Sequence, residues 1–254
     1  MSVIAFVPIS ARELDHWQLT IRAASALGVS AAFTLLARAL RGVTISGGAV
    51  GLIGSFLVYL SAGPSIFVVL VSLFVLTAAT TRFGYPSKKA LGVAESTGGR
   101  AAGQVLANTA AATIAVVLFG WTANPTFLVA GCAALAEAAA DTVASEIGEA
   151  LSSTARLITT GKPVPPGTDG GVSVPGTLAG IVASGIIATV SALVGLISSR
   201  AAAIVVVAAV FGMLFDSILG GCLEQRKLVT NNAVNFFSTS ASALLSLALT
   251  QVFL

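Results

Sequence analysis

The stretch P-T-F-L-V-A-G-C-A-A-L-A-E-A-A-A-D-T-V-A-S-E-I-G, residues 125–148, decides the class of this protein. Up to Ala140 its only acid is Glu137, and its apolar length approaches the ~20 residues a helix needs to cross hydrocarbon. Asp141 and Glu146 then follow at the end of the apolar run. Glu137, Asp141 and Ser145 recur every fourth residue, so on a helix they form one polar stripe. Glu146 and Glu149 continue as the helix leaves the membrane. A carboxylate in or near hydrocarbon is costly unless it is paired, solvated or metal-bound, so such acids point to function.

Working outward, the rest of the chain has the same character. Charged residues are 9% of the sequence, against roughly 25% in a soluble domain, and hydrophobic residues make up 56%. Apolar stretches fall at 19–37, 45–62, 65–81, 103–121, 125–141, 172–197, 201–220 and 234–254. None shows the alternation of a barrel strand, so they read as helices. The expectation is an all-α protein: a polytopic membrane helix bundle of about eight transmembrane helices, forming a single integral membrane domain over 1–254. The first stretch is followed by several others and reads as a span rather than a cleaved leader. Gly47 and Gly51, and Gly176 and Gly180, are each four apart and are expected to bring helices close inside the bundle. Cys132 and Cys222 have no metal-site spacing and read as core residues.

Charge placement gives the orientation. The loops after the first, third, fifth and seventh spans carry Arg38, Arg41, Arg82, Lys88, Lys89, Arg100, Arg156, Lys162, Arg226 and Lys227, ten of the thirteen basic residues. The positive-inside bias puts these loops in the cytoplasm and both termini on the non-cytoplasmic side. Trp17 and Trp121 sit at span edges, as interfacial anchors do. The sole histidine, His16, falls on the opposite face and receives no catalytic role.

The same loops hold the chemistry. In the second, Gly98 and Gly99 free backbone amides for an anion while Lys88 and Arg100 supply positive charge, although juxtamembrane lysines also serve topology and lipid headgroups. Gln104 and Asn108 share a helix face, suited equally to helix contact or ligand. In the third, Lys162 lies among Gly161, Gly167, Thr168, Gly170 and Gly171, ahead of a helix N-terminus near Val172. This is not a P-loop spacing. It suits an anion-binding nest or a plain Gly/Pro turn. The fourth offers Asp216 with Gly220-Gly221, then Asn231, Asn232 and Asn235, where the Asn231-Asn232 pair fits a helix cap or a nucleotide contact. Hard oxygen ligands without histidine suit Mg²⁺, with Asp141, Glu146 and Asp216 as its expected ligands.

Five motifs resemble a known family: E-S-T-G-G-R-A-A-G-Q-V-L-A-N from Glu95 to Asn108, A-D-T-V-A-S-E-I-G at 140–148, T-G-K-P-V-P-P-G-T-D-G-G-V-S at 160–173, D-S-I-L-G at 216–220 and N-N-A-V-N at 231–235. They look like the membrane family that contains plant phytyl-phosphate kinase of the vitamin E pathway, animal transmembrane protein nineteen and many prokaryotic proteins. The resemblance covers most of the chain after about residue 40. It implies a kinase that adds a second phosphate to an isoprenyl monophosphate, using a nucleoside triphosphate, with CTP the expected donor. More distantly the layout is similar to CTP-using membrane kinases and cytidylyltransferases. The His-Gly-Gly signature of the latter is absent, replaced by Thr168-Asp169-Gly170-Gly171.

On this reading Asp141, Lys162 and Glu146 are the catalytic set. Lys88, Glu95, Gly98, Gly99, Arg100, Asn108, Ser145, Gly167, Thr168, Gly170, Gly171, Asn231 and Asn235 bind substrate or phosphate. Phosphoryl transfer needs positioning and charge neutralisation, and a prenyl phosphate is already an anion, so no general base is required. The partners are then a nucleotide, an isoprenyl phosphate lipid and the membrane. No nucleic acid is expected, and self-association is left open. Other readings stay in play: another CTP-dependent lipid-phosphate transferase, a transporter using Asp141 and Asp216 as ion or substrate sites, and a lipid-binding or assembly protein without catalysis.

Overall fold

The apolar stretches become helices in the computed structural model, which describes residues 8–94 and 98–254. The long helices are α1 (His16–Ala39), α2 (Ile45–Ala62), α3 (Pro64–Arg82), α5 (Ala102–Thr122), α6 (Thr126–Leu151), α7 (Val174–Leu193), α8 (Ser199–Leu219) and α9 (Asn231–Phe253), with a short α4 (Tyr85–Leu91) between α3 and α5. Eight of these are long and apolar enough to cross a membrane. Side chains cap several starts by accepting from the third amide of the helix: Asp15 from Gln18 at 2.8 Å, Thr44 from Gly47 at 3.1 Å, Ser173 from Gly176 at 3.2 Å and Thr230 from Ala233 at 3.3 Å. Thr230 thus takes the capping role expected of Asn231-Asn232, which instead form the first residues of α9.

The bundle is built around α6. It packs against α3, α5, α7, α8 and α9, and its run Cys132–Ala140 is fully enclosed. That run is mostly alanine. In lipid, helices associate by close packing rather than by hydrophobic exclusion, so small residues belong on the central helix. Gly176 and Gly180 of α7 carry this furthest: a Cβ at either would come within 2.5 and 2.8 Å of the Ala144 and Ala140 carbonyl oxygens. The glycines of α2 act differently. Gly47 admits the Arg100 carbonyl, and Gly51 has nothing within reach of a Cβ except Val105, at 4.0 Å. At the periphery, Trp17 and Trp121 are 73% and 75% exposed.

Three features depart from the sequence reading. The sixth span is shorter than 172–197, because Val172 belongs to a strand and α7 ends at Leu193, followed by a tight turn through Gly195. The segment before it holds a small antiparallel sheet of β1 (Ala155–Leu157), β2 (Pro163–Val164) and β3 (Gly171–Val172), in the order β2-β1-β3. Cys222 is exposed in a π-helical turn, Gly220–Glu224, that extends α8, whereas Cys132 is buried as expected.

Candidate functional site

The four connections that follow α1, α3, α6 and α8 converge at one end of the bundle. Arg100 donates its amide to the Gly42 carbonyl at 3.0 Å and accepts from the Thr44 amide at 3.0 Å, which joins the segment before α5 to the start of α2. Gln225 donates to the Asp169 carbonyl at 2.7 Å, which joins the end of α8 to the glycine loop between β2 and β3. Gly170, with φ +73°, sits against the α8 terminus: a Cβ there would lie 2.7 Å from the Ser217 carbonyl oxygen. Only a residue without a Cβ that tolerates positive φ fits this contact.

Between these segments lies a polar cavity of about 380 Å³. The α6 stripe supplies Asp141, Ser145 and Glu149, and Glu146 borders it. From α8 come Asp216 and Ser217, and from α9 Asn231 and Asn235. Arg100 and the α5 amides Gln104 and Asn108 form another side, while Gly167, Thr168, Gly170 and Gly171 close it. The first turn of α7, through Gly176 and Thr177, also faces it, two residues later than the helix start read from the sequence.

The acids are individually positioned. Asp216 Oδ2 accepts from Ser238 Oγ at 3.1 Å, and the Asn235 amide lies 3.2 Å from the same oxygen, so α9 holds the carboxylate on two sides. Asp141 lies within electrostatic reach of Arg100, and Asp216 within reach of Asp141. One turn below Asp141, Glu137 is 1% exposed, and its Oε1 has no hydrogen-bond partner among the described residues.

The other expected site residues are placed elsewhere. Lys88 is fully buried and forms an ion pair with Glu146, while also donating to the Thr80 and Thr81 carbonyls at 3.2 and 2.9 Å. Glu146, expected as a metal ligand, is instead paired with Lys88. Lys162 is exposed at the hairpin turn between β1 and β2 and is not part of the cavity wall; its carbonyl accepts from the Leu157 amide at 2.9 Å. Gly99, with φ +86°, packs on Arg41–Val43 and lines a neighbouring cavity, and Gly98 lies in the turn before it. Glu95 lies outside the described residues. Asp169 and Glu224, which were not among the expected site residues, also line the polar cavity. Asp169 lies inside the 160–173 motif and Glu224 between the D-S-I-L-G and N-N-A-V-N motifs, and that placement was the available signal.

Among the described residues, no group of three or more His, Cys, Asp or Glu side chains is gathered tightly enough to hold a metal ion by itself. The chemistry of the wall nevertheless fits a hard divalent cation. Mg²⁺ takes one or two carboxylates and fills its remaining positions with water and phosphate oxygens. A cavity with Asp141, Asp169, Asp216 and Glu224 in its wall needs added positive charge before a polyanion can enter.

Eight apolar helices with an acid-, amide- and glycine-lined cavity at one end define a multi-pass integral membrane protein. The chain belongs to the family described as integral membrane protein DUF92, which it matches over residues 28–243. It is 32% identical over 222 residues to Protein VTE6, chloroplastic, of Arabidopsis thaliana, covering 84% of this chain and 67% of that protein. It is also similar to uncharacterized membrane proteins of Synechocystis sp. (34% over 188 residues, 72% of this chain and 73% of the relative) and of Methanocaldococcus jannaschii (32% over 200 residues, 74% and 79%). No solved structure matches.

Proposed function

We propose that the protein is a membrane kinase that phosphorylates an isoprenyl monophosphate to the diphosphate, with a nucleoside triphosphate, CTP by expectation, as donor. The observation that carries this reading is the meeting of Asp141, Asp216, Arg100 and the Gly167–Gly171 loop in one polar cavity at the end of the bundle. The motif resemblance to the phytyl-phosphate kinase family and the similarity to Protein VTE6 support it. The basic residues of the four loops support a cytoplasmic position for the site.

Mg²⁺ bound at Asp141 and Asp216 would neutralise phosphate charge and align the transferred group. Arg100 and the amides of Gln104 and Asn108 hold the acceptor phosphate, and the backbone of Gly167–Gly171 with the first turn of α7 receives the donor phosphates. An oxygen of the prenyl phosphate attacks the terminal phosphorus of the nucleotide, the bond to the bridging oxygen breaks, and the nucleoside diphosphate leaves. The attacking oxygen carries no proton that needs removal, in keeping with a wall without histidine or cysteine among its described residues. Lys162 is not assigned a contact, because its side chain points into solvent at the hairpin turn.

The test is direct: purified protein in nanodiscs, Mg²⁺, labelled nucleoside triphosphates and a panel of prenyl monophosphates, with products separated by chromatography. A labelled prenyl diphosphate is the expected product. A folded preparation that yields none with any donor sinks the reading.

A further inference from the structure

The polar cavity has a neighbour of the opposite kind. A cavity of about 400 Å³ lies among α1, α2, α3, α5 and α6, walled by apolar side chains such as Phe33, Val58, Leu70, Phe74 and Val116. Along α5 its wall runs from Gln104 to Val116, about 18 Å of helix. Its hollowness has a sequence cause. The face of α2 turned towards it carries Gly47, Gly48, Gly51 and Gly54. A Cβ at Gly51 would meet nothing nearer than 4.0 Å, and one at Gly54 nothing nearer than 3.6 Å. These two α2 glycines therefore sit loosely beside α5, whereas Gly176 and Gly180 are held tightly against α6.

The two cavities adjoin. Arg100, Gln104 and Asn108 line both, and Arg41 and Arg82 add positive charge to the wall of the apolar one. A long apolar slot that ends in a cationic, amide-bearing collar and communicates there with a carboxylate-lined cavity matches a single-chain amphiphile with a phosphate head. A nucleotide base would leave its ring nitrogens unpaired against the slot's apolar wall, at the usual cost of burying polar groups.

We infer that this slot is the tail site of the acceptor lipid, which places the acceptor phosphate at Arg100, Gln104 and Asn108 and makes Gly51 and Gly54 the residues that set the accepted tail. The inference rests on the kinase reading for the chemistry of the head; the slot's apolar wall sets that of the tail. Extending either glycine shortens the slot without touching the polar cavity.

Two measurements test it on the full chain in nanodiscs. A geranylgeranyl monophosphate carrying a diazirine at the far end of its tail should, on irradiation, label Val58 and Val116, whether or not turnover occurs. Gly54→Leu should lower kcat/KM for geranylgeranyl monophosphate by about tenfold or more while leaving dimethylallyl monophosphate within about twofold. Gly51→Leu should do the same to a degree set by its distance from the collar. Adducts confined to the outer faces of α8 and α9, or unchanged chain-length preference in folded variants, overturn the tail site even if wild-type protein is an active kinase. Labelling of Val58 and Val116 with no turnover of any prenyl monophosphate would instead keep the tail site and remove the kinase.

Discussion

Removal of the Lys88 ammonium is the perturbation whose cost follows most directly from the geometry. Lys88 is 0% exposed and its partner Glu146 is 6% exposed at the side chain, so neither can turn to water when the other is lost. The same ammonium also donates to the Thr80 and Thr81 carbonyls in the last turn of α3, so its loss removes those two contacts as well, although Thr80 keeps the Phe83 amide at 3.1 Å. Lys88→Met leaves a buried carboxylate unpaired and should cost about 3–5 kcal/mol, the scale for breaking a buried pair. At about 2–4 °C per kcal/mol for a domain of this size, the apparent melting temperature in detergent should fall by roughly 6–20 °C. Glu146→Leu should destabilise comparably by stranding the ammonium. The double variant should recover much of the loss, because both charges are gone. It should also retain Mg²⁺-dependent turnover, since Glu146 is already neutralised in the fold. Additive losses in the double variant, or a Lys88→Met protein that melts within about 2 °C of wild type, would refute a buried coupled pair.

Three further outcomes are expected. Asp141→Asn and Asp216→Asn should each lower prenyl-phosphate kinase turnover by about a hundredfold or more with little change in melting temperature, while Lys162→Ala changes it less than about twofold; comparable turnover losses at all three positions would mean general charge effects rather than a local site. Gly170→Ala should destabilise by about 1–3 kcal/mol and reduce turnover, because positive φ and the Ser217 carbonyl both oppose a Cβ; thermal melting with wild-type behaviour would show the loop is not seated on α8. Single cysteines at Ser87, Ser153 and Arg226 should all react with an impermeant thiol reagent from the cytoplasmic side only; labelling of one from the other side would break the alternating topology.

How far the sequence could be read varies with the range of the interaction concerned. Asp141, Ser145 and Asp216 were legible as polar groups that line one cavity because helical spacing and an apolar surround are local properties. Asn231 was legible as polar but not in its role, since a cap depends on which residue has extended backbone, and Thr230 does. Lys88 was expected to face substrate phosphate, or to serve as a juxtamembrane lysine. Only the approach of α4 to α6 gives it a buried partner 58 residues away. Lys162 looked central because glycines surround it in sequence, yet the hairpin of β1 and β2 turns it outward. Strands of two or three residues are too short for an alternating pattern to register.

Composition and the spacing of apolar runs were sufficient by themselves for eight helices in a membrane, because a helix in hydrocarbon satisfies its own backbone hydrogen bonds and needs no distant partner to do so. The end at which polar groups gather was also in the sequence, carried by the polar loops. What tertiary structure alone decided was which of those polar groups meet, and whether a glycine is held tightly, as Gly180 is against Ala140, or sits loosely, as Gly54 does beside α5. Those outcomes depend on how helices far apart in the chain pack together, and no local pattern of residues encodes that distance.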